Sequence, residues 1–500
     1  MLLIFPPIAK ACEPPAGIAR LAGALQANQI PCRLWDANLE GQLWLLEQPP
    51  TADDTWTRRA WRNRHKHLQS LREAATYTNP DRYATAVNDL NRLLAMAGAA
   101  TTTVPGLADY RHAGRSPLRS ADLLWAAEQP QQNPFFPLFS QRLPQLLAGI
   151  STVGISLNYL SQALTTFSLI GLLRQQYPQL KIVLGGGLVG SWLARPDWRN
   201  PFTGLVDQLI AGPGERPLLE LLGAAQPFNN GLPAYDRLPL QDYLSPGLIL
   251  PYSAAAGCWW NRCSFCPERA EGNRYQPFPA RQALSELQAL VARYQPRLLH
   301  LLDNAISPPL LRLLAERPPG APWYGFARFD EQLADPEFCR KLRASGCVLL
   351  KLGLESGDQG VLDRLNKGID LALAGKVLEN LKLAGIGVYC YLLFGTPAED
   401  AAAARRTLEF AVRHADQIGF LNLAIFNMPL YGEEAAAYGD GLFYEGDLSL
   451  YTSFTHPAGW GRGEVRRFIR QEFNRQPELA GIIRRDPAIY GSNHAPLFCG

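Results

Sequence analysis

The chain has 500 residues, 47% of them apolar, and a formal net charge of only +3. That length predicts two or three domains with sizeable cores, and the near-neutral balance gives no push toward nucleic acid or an anionic membrane as the main partner. No apolar run approaches the roughly 20 residues that cross a bilayer, and no internal repeat or low-complexity tract breaks the pattern.

The start, Met1-Leu2-Leu3-Ile4-Phe5-Pro6-Pro7, is apolar but lacks a basic lead, so it reads as a first β-strand rather than a signal peptide. A helix follows over 15–26, with Ile18, Leu21 and Leu25 in helical spacing, then a strand over 32–35 ending at Asp36-Ala37-Asn38-Leu39-Glu40-Gly41. The alternation stops over 42–150. That stretch is helical and rich in Trp and Arg (Trp56, Trp61, Arg58, Arg59, Arg62, Arg64), and reads as an insertion with a solvated basic face. A strand over 149–157 resumes the pattern, followed by a helix over 164–176 and a buried strand over 182–184 that runs into Gly185-Gly186-Gly187. A strand over 205–210 then precedes Gly212-Pro213-Gly214-Glu215 and an apolar helix. Residues 1–225 are therefore expected to form a doubly wound α/β sheet of the Rossmann-like kind, whose ligands sit at the carboxyl ends of its strands.

Pro233, Pro239 and Pro246 mark 226–246 as a linker. Beyond it strands and helices alternate six more times over 247–440, which predicts a partial (β/α)6 TIM-like barrel with its chemistry at the carboxyl ends of the strands. Asp303, Arg328, Glu355 and Gly395 all fall at such ends. The last stretch, 441–500, is Gly- and aromatic-rich and then basic (Arg466, Arg467, Arg470, Arg475), and reads as a helical extension.

The most specific feature is the run Gly257-Cys258-Trp259-Trp260-Asn261-Arg262-Cys263-Ser264-Phe265-Cys266. Three thiolates this close, on a glycine-led loop, can hold three corners of an iron–sulfur cube and leave one iron open to a small molecule. The alternatives are a structural zinc site and three unrelated buried cysteines. Zinc normally takes four protein ligands, and over roughly the next seventy residues only His300 offers one. Nine cysteines without regular spacing, three of them on an oxygen-sensitive cluster, point to a reducing cytoplasm.

At these residues the chain resembles the radical S-adenosylmethionine superfamily, whose usual motif is Cys-x3-Cys-x2-Cys with an aromatic before the last cysteine. Phe265 fills the aromatic place, and the departure is one extra residue between Cys258 and Cys263. The order of later segments agrees: Val348 to Glu355-Ser356-Gly357, then Val361 to Gly368, then Gly387 to Gly395-Thr396-Pro397, with Glu399 opening a helix. The resemblance implies a [4Fe–4S] cluster on the three cysteines. It places S-adenosylmethionine against Phe265, Asp303, Arg328, Glu355, Ser356, Gly357 and Gly395. It also implies an external electron donor such as flavodoxin or ferredoxin. A doubly wound domain ahead of such a barrel resembles the cobalamin-binding subfamily, which places the corrin against Glu13, Pro14, Ser156, Leu157, Gly185, Gly186, Gly187 and Gly212. The implied reaction is methyl transfer to an unactivated carbon of a small-molecule or peptide substrate by way of a 5′-deoxyadenosyl radical. Rearrangement, cyclisation or oxidation on the same scaffold, with or without cobalamin, is the alternative, followed by a non-catalytic iron–sulfur redox protein.

Overall fold

The computed structural model describes residues 1–443, 446–485 and 491–499, and the chain divides into two compact units. The first takes in Met1–Leu248 and the second starts at Ile249, while the few residues leading to Ser449 belong with the first. Among the described residues no helix is long and apolar enough to cross a membrane.

The sheet of the first unit is built from β1 (Leu2–Phe5), β2 (Arg33–Asp36), β3 (Thr152–Ser156), β4 (Lys181–Gly185) and β5 (Gln208–Ile210). All neighbours are parallel, in the order β2-β1-β3-β4-β5. Helices cover the sheet, so β1 reads as an unbroken apolar run rather than an alternation. The strand order reverses between β1 and β3, which is where the ligand crevice of a doubly wound sheet opens. The run from Asp36 to Gly41 is the start of a helix, Ala37–Leu46, capped by the Asp36 carboxylate accepting from the Leu39 amide at 2.9 Å. Asn38 there is buried and accepts from the Ala9 amide and from Gln42, at 2.7 and 2.8 Å, bracing the loop that leaves β1.

That helix crosses the expected boundary at 42, so the helical excursion begins where β2 ends. It continues through helices Thr55–Leu71, Pro80–Ala97, Ser120–Glu128 and Phe136–Leu146, with a small antiparallel hairpin, Thr103–Pro105 against Tyr110–His112, that the helical pattern hid. The basic face of Thr55–Leu71 turns partly inward. The buried Asp89 carboxylate accepts from the Trp56 indole at 2.7 Å and from Arg59 at 3.1 Å, and pairs with His67 at 3.1 Å. Arg64 pairs with Glu47, and Arg92 with Asp54. These cations help hold the insertion together, so part of the basic face serves internal pairing.

The second unit is a six-stranded parallel sheet: β6 (Ile249–Tyr252), β7 (Leu298–Leu301), β8 (Trp323–Ala327), β9 (Cys347–Glu355), β10 (Gly387–Phe394) and β11 (Phe420–Ile425). The strands lie in sequence order, each parallel to the next. Ile249, Leu298, Tyr324, Leu349, Tyr389 and Phe420 come from all six strands and pack together as one buried layer. Ala495, Leu497, Phe498 and Cys499 pack on the same layer, so the end of the chain closes the amino-terminal mouth of the strands. The stretch after 440 is not purely helical. A three-stranded antiparallel sheet (Met428–Pro429, Gly439–Phe443, Tyr451–Phe454) precedes helix Arg462–Gln471, because Gly439 and the alternating Tyr451–Phe454 favour extended pairing.

Replacing Asp89 removes the shared acceptor of a solvent-exposed indole and guanidinium and of the largely buried His67 imidazole. Asp89→Ala is expected to lower the unfolding free energy of the first unit by roughly 2–4 kcal/mol, read by urea denaturation followed through tryptophan fluorescence.

Candidate functional site

Cys258, Cys263 and Cys266 lie on the loop between β6 and the helix Ala280–Tyr294, at the carboxyl end of the barrel strands. Gly257 enters the loop at φ +73°, and a Cβ there would overlap the Arg274 carbonyl. Asn261 takes a left-handed φ of +42°, so the extra residue of the Cys-x4-Cys spacing is absorbed in a tight turn. Burial raises the Cys263 thiol, and raises Cys266 to about 11, and each is further pushed up by the charge of its neighbours in the triplet. Lys367 and Arg328 act in the opposite sense on Cys263, favouring its thiolate. Among the described residues no three His, Cys, Asp or Glu side chains close on a single ion. A cube makes a different demand, since each thiolate binds its own iron and the sulfurs stand at separate corners. A triplet of thiols with Cys263 buried beside two cations and Cys258 and Cys266 half-buried fits that demand.

The loop is fastened to the turn 365–368 that follows helix Gln359–Arg364. The Ser264 amide donates to the Leu365 carbonyl at 3.0 Å, and the Trp260 indole to the Asn366 carbonyl at 3.1 Å. Gly368, at φ +64°, leaves room for the Trp260 ring where a Cβ would overlap it. From the same turn Lys367 reaches Glu355, Nζ to Oε1 at 2.7 Å, with both side chains nearly buried. Glu355 ends β9 beyond a register shift at Gly353 and holds φ at +70°, a conformation costly for any residue but glycine. Phe265 packs on Val361, Leu365 and Ala403, with the Lys367 ammonium 5.5 Å from its ring centre. Lys367 is a site residue that motif reading passed over. Its signal was a lysine just before a glycine, in the turn directly after Glu355-Ser356-Gly357.

Arg328 is buried after β8, donates to the Lys367 carbonyl, and lies within hydrogen-bonding reach of the Cys263 sulfur. Asp303 caps no helix: its carboxylate accepts from the Ala254 amide at 3.2 Å, tying the end of β7 to the lead-in of the cysteine loop. Burial raises that carboxyl to about 6. Ser356 is fully buried with its hydroxyl 3.1 Å from both Thr407 Oγ1 and the Asp358 amide, and Gly357 is pressed so close to Thr407 and Phe410 that a Cβ would overlap them. These two residues dock helix Ala401–Arg413, and the Ser356 hydroxyl faces that helix. Gly395, at φ +82°, donates its amide to Glu399 at 2.6 Å. Glu399 does not open the next helix, as its position suggested; Asp400 caps it, and Glu399 turns inward to accept from the Trp460 indole at 2.9 Å.

In the first unit the expected residues gather at the carboxyl end of the sheet. Ser156 ends β3, Leu157 is buried after it, and Gly185 ends β4. Gly186 is required by the chain itself: at φ +111°, its Cβ would overlap the Leu157 carbonyl. Asn158, also passed over, links the two strand ends, donating to Ser156 Oγ at 3.0 Å and accepting from the Gly187 amide at 3.0 Å. Gly212 (φ +67°) faces open space. Glu13 and Pro14 lie on the loop after β1, and Tyr159, 56% exposed, starts the helix after β3. The three histidines of this unit, His65, His67 and His112, all lie in the helical insertion. None stands at the strand ends to offer an imidazole to a corrin. Open glycine backbone at Gly187 and Gly212, beyond the ends of β4 and β5, fits a flat ligand without an axial histidine.

A barrel of this order with a three-cysteine loop at its carboxyl end defines a radical S-adenosylmethionine domain. The profile of the radical SAM superfamily matches residues 252–411, so this part of the chain is a radical SAM domain. Such a domain is the seat of a [4Fe–4S] cluster and S-adenosylmethionine. An uncharacterized methyltransferase of Pyrococcus horikoshii is 23% identical over 193 residues, which are 36% of this chain and 40% of that protein. The chain thus spans well under half the length of this curated relative. The radical S-adenosylmethionine methyltransferase TsrM of Kitasatospora setae, with cobalamin and a [4Fe–4S] cluster bound, aligns over 94% of this chain and 85% of its own. The TM-score is 0.53 and the identity 15%, so the shared property is the fold. With tryptophan substrate and an S-adenosylmethionine analogue bound, the same enzyme aligns over 86% of this chain and 74% of its own, at TM-score 0.50 and 16% identity.

Glu399 gives the barrel a pH signature. Burial raises its carboxyl from the ordinary 4.5 to about 7, against the opposing hydrogen bonds from Gly395 and Trp460. A carboxyl whose folded pKa lies above its unfolded value binds its proton more tightly when folded. Its contribution to stability is therefore complete in acid and is lost as pH rises through the window from about 4.5 to about 7. Glu399→Gln is expected to flatten this part of the stability profile, read from urea midpoints at about pH 5 and about pH 8.

Proposed function

We propose that this radical SAM enzyme is cobalamin-dependent and transfers a methyl group to an unactivated carbon of a small-molecule or peptide substrate. The observation that carries the reading is the single hydrogen-bonded ring at the mouth of the barrel: cysteine loop, turn 365–368, Glu355 and Arg328. A doubly wound unit with glycine-lined strand ends supports the second cofactor. When bound, the cluster and S-adenosylmethionine supply a carbon-centred radical after one-electron reduction, and methylcobalamin supplies the methyl group.

The chain's own residues do the positioning. The loop buries Cys263 and half-buries Cys258 and Cys266, and Lys367 and Arg328 favour the thiolate form of Cys263 that would ligate iron. Phe265 offers an aromatic face, fixed by Val361, Leu365 and Ala403, to a flat base. The Glu355 carboxylate keeps the lone pairs that Lys367 does not use, and accepts from a ribose hydroxyl or the methionine ammonium. Its strained backbone fixes where those lone pairs point. In the first unit, Asn158 holds the ends of β3 and β4 so that the backbone at Ser156, Gly185 and Gly187 forms a level edge.

Two outcomes test the cofactors. Cys258, Cys263 and Cys266 changed together to Ala are expected to abolish the brown absorption and the bound iron after anaerobic reconstitution; retained iron contradicts the ligand set. Gly187→Phe is expected to block uptake of hydroxocobalamin while leaving the cluster absorption intact, because a Cβ at 187 meets nothing closer than 3.7 Å and the fold tolerates it. For the reaction, the reduced, reconstituted enzyme is supplied with S-adenosylmethionine and candidate substrates and followed by mass spectrometry. 5′-Deoxyadenosine and S-adenosylhomocysteine formed together support methyl transfer; 5′-deoxyadenosine with an isomerised, cyclised or oxidised substrate replaces it by that reaction.

A further inference from the structure

We infer that Arg328, clamped by Trp260, is a positioning residue that sets the reduction potential of the cluster rather than a clamp for the carboxylate of S-adenosylmethionine. The inference rests on the assignment of Cys258, Cys263 and Cys266 as cluster ligands. The Arg328 guanidinium lies 4.1 Å from the centre of the Trp260 ring and donates to the Lys367 carbonyl. The guanidinium also lies within hydrogen-bonding reach of the Cys263 sulfur. The ring itself cannot swing away: its indole N–H is held by the Asn366 carbonyl, and Gly368 closes on its edge. Arg262 stands 5.0 Å from the centre of the same ring. Trp260 belongs to the segment lengthened by the extra residue in Cys-x4-Cys, and the left-handed turn at Asn261 directly follows it. The longer spacing thus has a use: it gives the loop a ring on which to seat a cation beside a cluster ligand.

The charge balance at the site points the same way. Of the two cations near Cys263, Lys367 is matched by the Glu355 carboxylate at 2.7 Å. The hydrogen-bond and ring contacts of Arg328 are a carbonyl, two indole rings and a sulfur, while Glu355 and Asp330 attract it from beyond ion-pair distance, so its nearest charge partner is the cluster ligand Cys263. One-electron reduction by an external low-potential donor adds a negative charge to the cluster. A fixed cation with an N–H aimed at a ligand sulfur stabilises the reduced form over the oxidised one and raises the potential. A cation seated over an indole face is held in place without needing a carboxylate in direct contact. The carboxylate of S-adenosylmethionine then needs other donors.

The test is an EPR-monitored reductive titration of the reconstituted full-length enzyme without S-adenosylmethionine, paired with calorimetric binding of S-adenosylmethionine. Arg328→Gln is expected to load a full cluster and to shift its reduction equilibrium at least tenfold toward the oxidised form, about 59 mV for a one-electron couple. Arg328→Lys, which keeps the charge, is expected to recover most of that shift, and binding of S-adenosylmethionine is expected to stay within about threefold. A full cluster with an unchanged potential in Arg328→Gln overturns the inference. A loss of S-adenosylmethionine affinity at unchanged potential replaces it with a carboxylate clamp. Should Arg328→Gln fail to load, Trp260→Leu keeps the cation and frees it, and a smaller shift of the same sign is expected; no shift overturns the inference. Wild-type protein that takes up no cluster overturns the ligand assignment itself, and this inference with it.

Discussion

The ion pair between Lys367 and Glu355 organises the mouth of the barrel. A buried pair of this kind adds little stability by itself, because desolvating two charges offsets most of their attraction. Its effect is geometric. Glu355 stands at the end of a strand in a left-handed conformation that it would not adopt unaided, and the lysine on the facing turn holds it there. The same turn fastens the cysteine loop through Ser264 and Trp260 and takes up Arg328 through a carbonyl. Gly353 completes the arrangement, since a side chain there would occupy the place of the Glu355 carboxylate. Cluster loop and carboxylate are therefore positioned by one short turn, and a displacement of that turn moves both.

The surroundings keep this turn rigid. Ser356 and Gly357 dock helix Ala401–Arg413 through Thr407, and Arg406 of that helix pairs with Asp358 at the start of helix Gln359–Arg364. Glu399 and Trp460 brace the neighbouring strand end at Gly395, and His456 bonds the Thr396 carbonyl at 2.8 Å. Helix Glu433–Tyr438 covers the cysteine loop, with Glu434 accepting from Ser264 at 2.8 Å and Glu433 pairing with Arg269. At the opposite mouth the last residues of the chain seal the strand starts with apolar side chains.

The two units solve the same problem by different means. In the barrel, positively twisted backbone at Gly257, Asn261 and Glu355 is held by hydrogen bonds and an ion pair. At the carboxyl end of the doubly wound sheet, Gly186 packs against the Leu157 carbonyl, and its own carbonyl accepts from the Gly190 amide at 3.0 Å. The glycine there serves chain packing first, and the space available to a ligand is at Gly187 and Gly212.

Much of this protein was legible in the sequence. Buried parallel strands are short apolar runs bounded by glycine and proline, so all five strands of the first sheet and all six of the barrel could be placed within a few residues. The three cysteines carry their meaning in their spacing, because a cluster ligand loop is local. Local pattern does not tell where a side chain goes once the chain is folded. Arg59 and His67 look like a solvated basic face until Asp89, from another helix, is brought between them. Glu399 looks like a helix start until Trp460 arrives from sixty-one residues away. Lys367 and Trp260 acquire roles only when the turn and the cysteine loop meet, and the hydroxyl of Ser356 is committed to Thr407 only when helix Ala401–Arg413 docks. Sequence alone determined the strands, their places along the chain and the cysteine loop, since these depend on periodicity and near-neighbour chemistry. Tertiary structure alone decided which charges face each other, because Coulombic and hydrogen-bonded partners are chosen by distance in space and not along the chain.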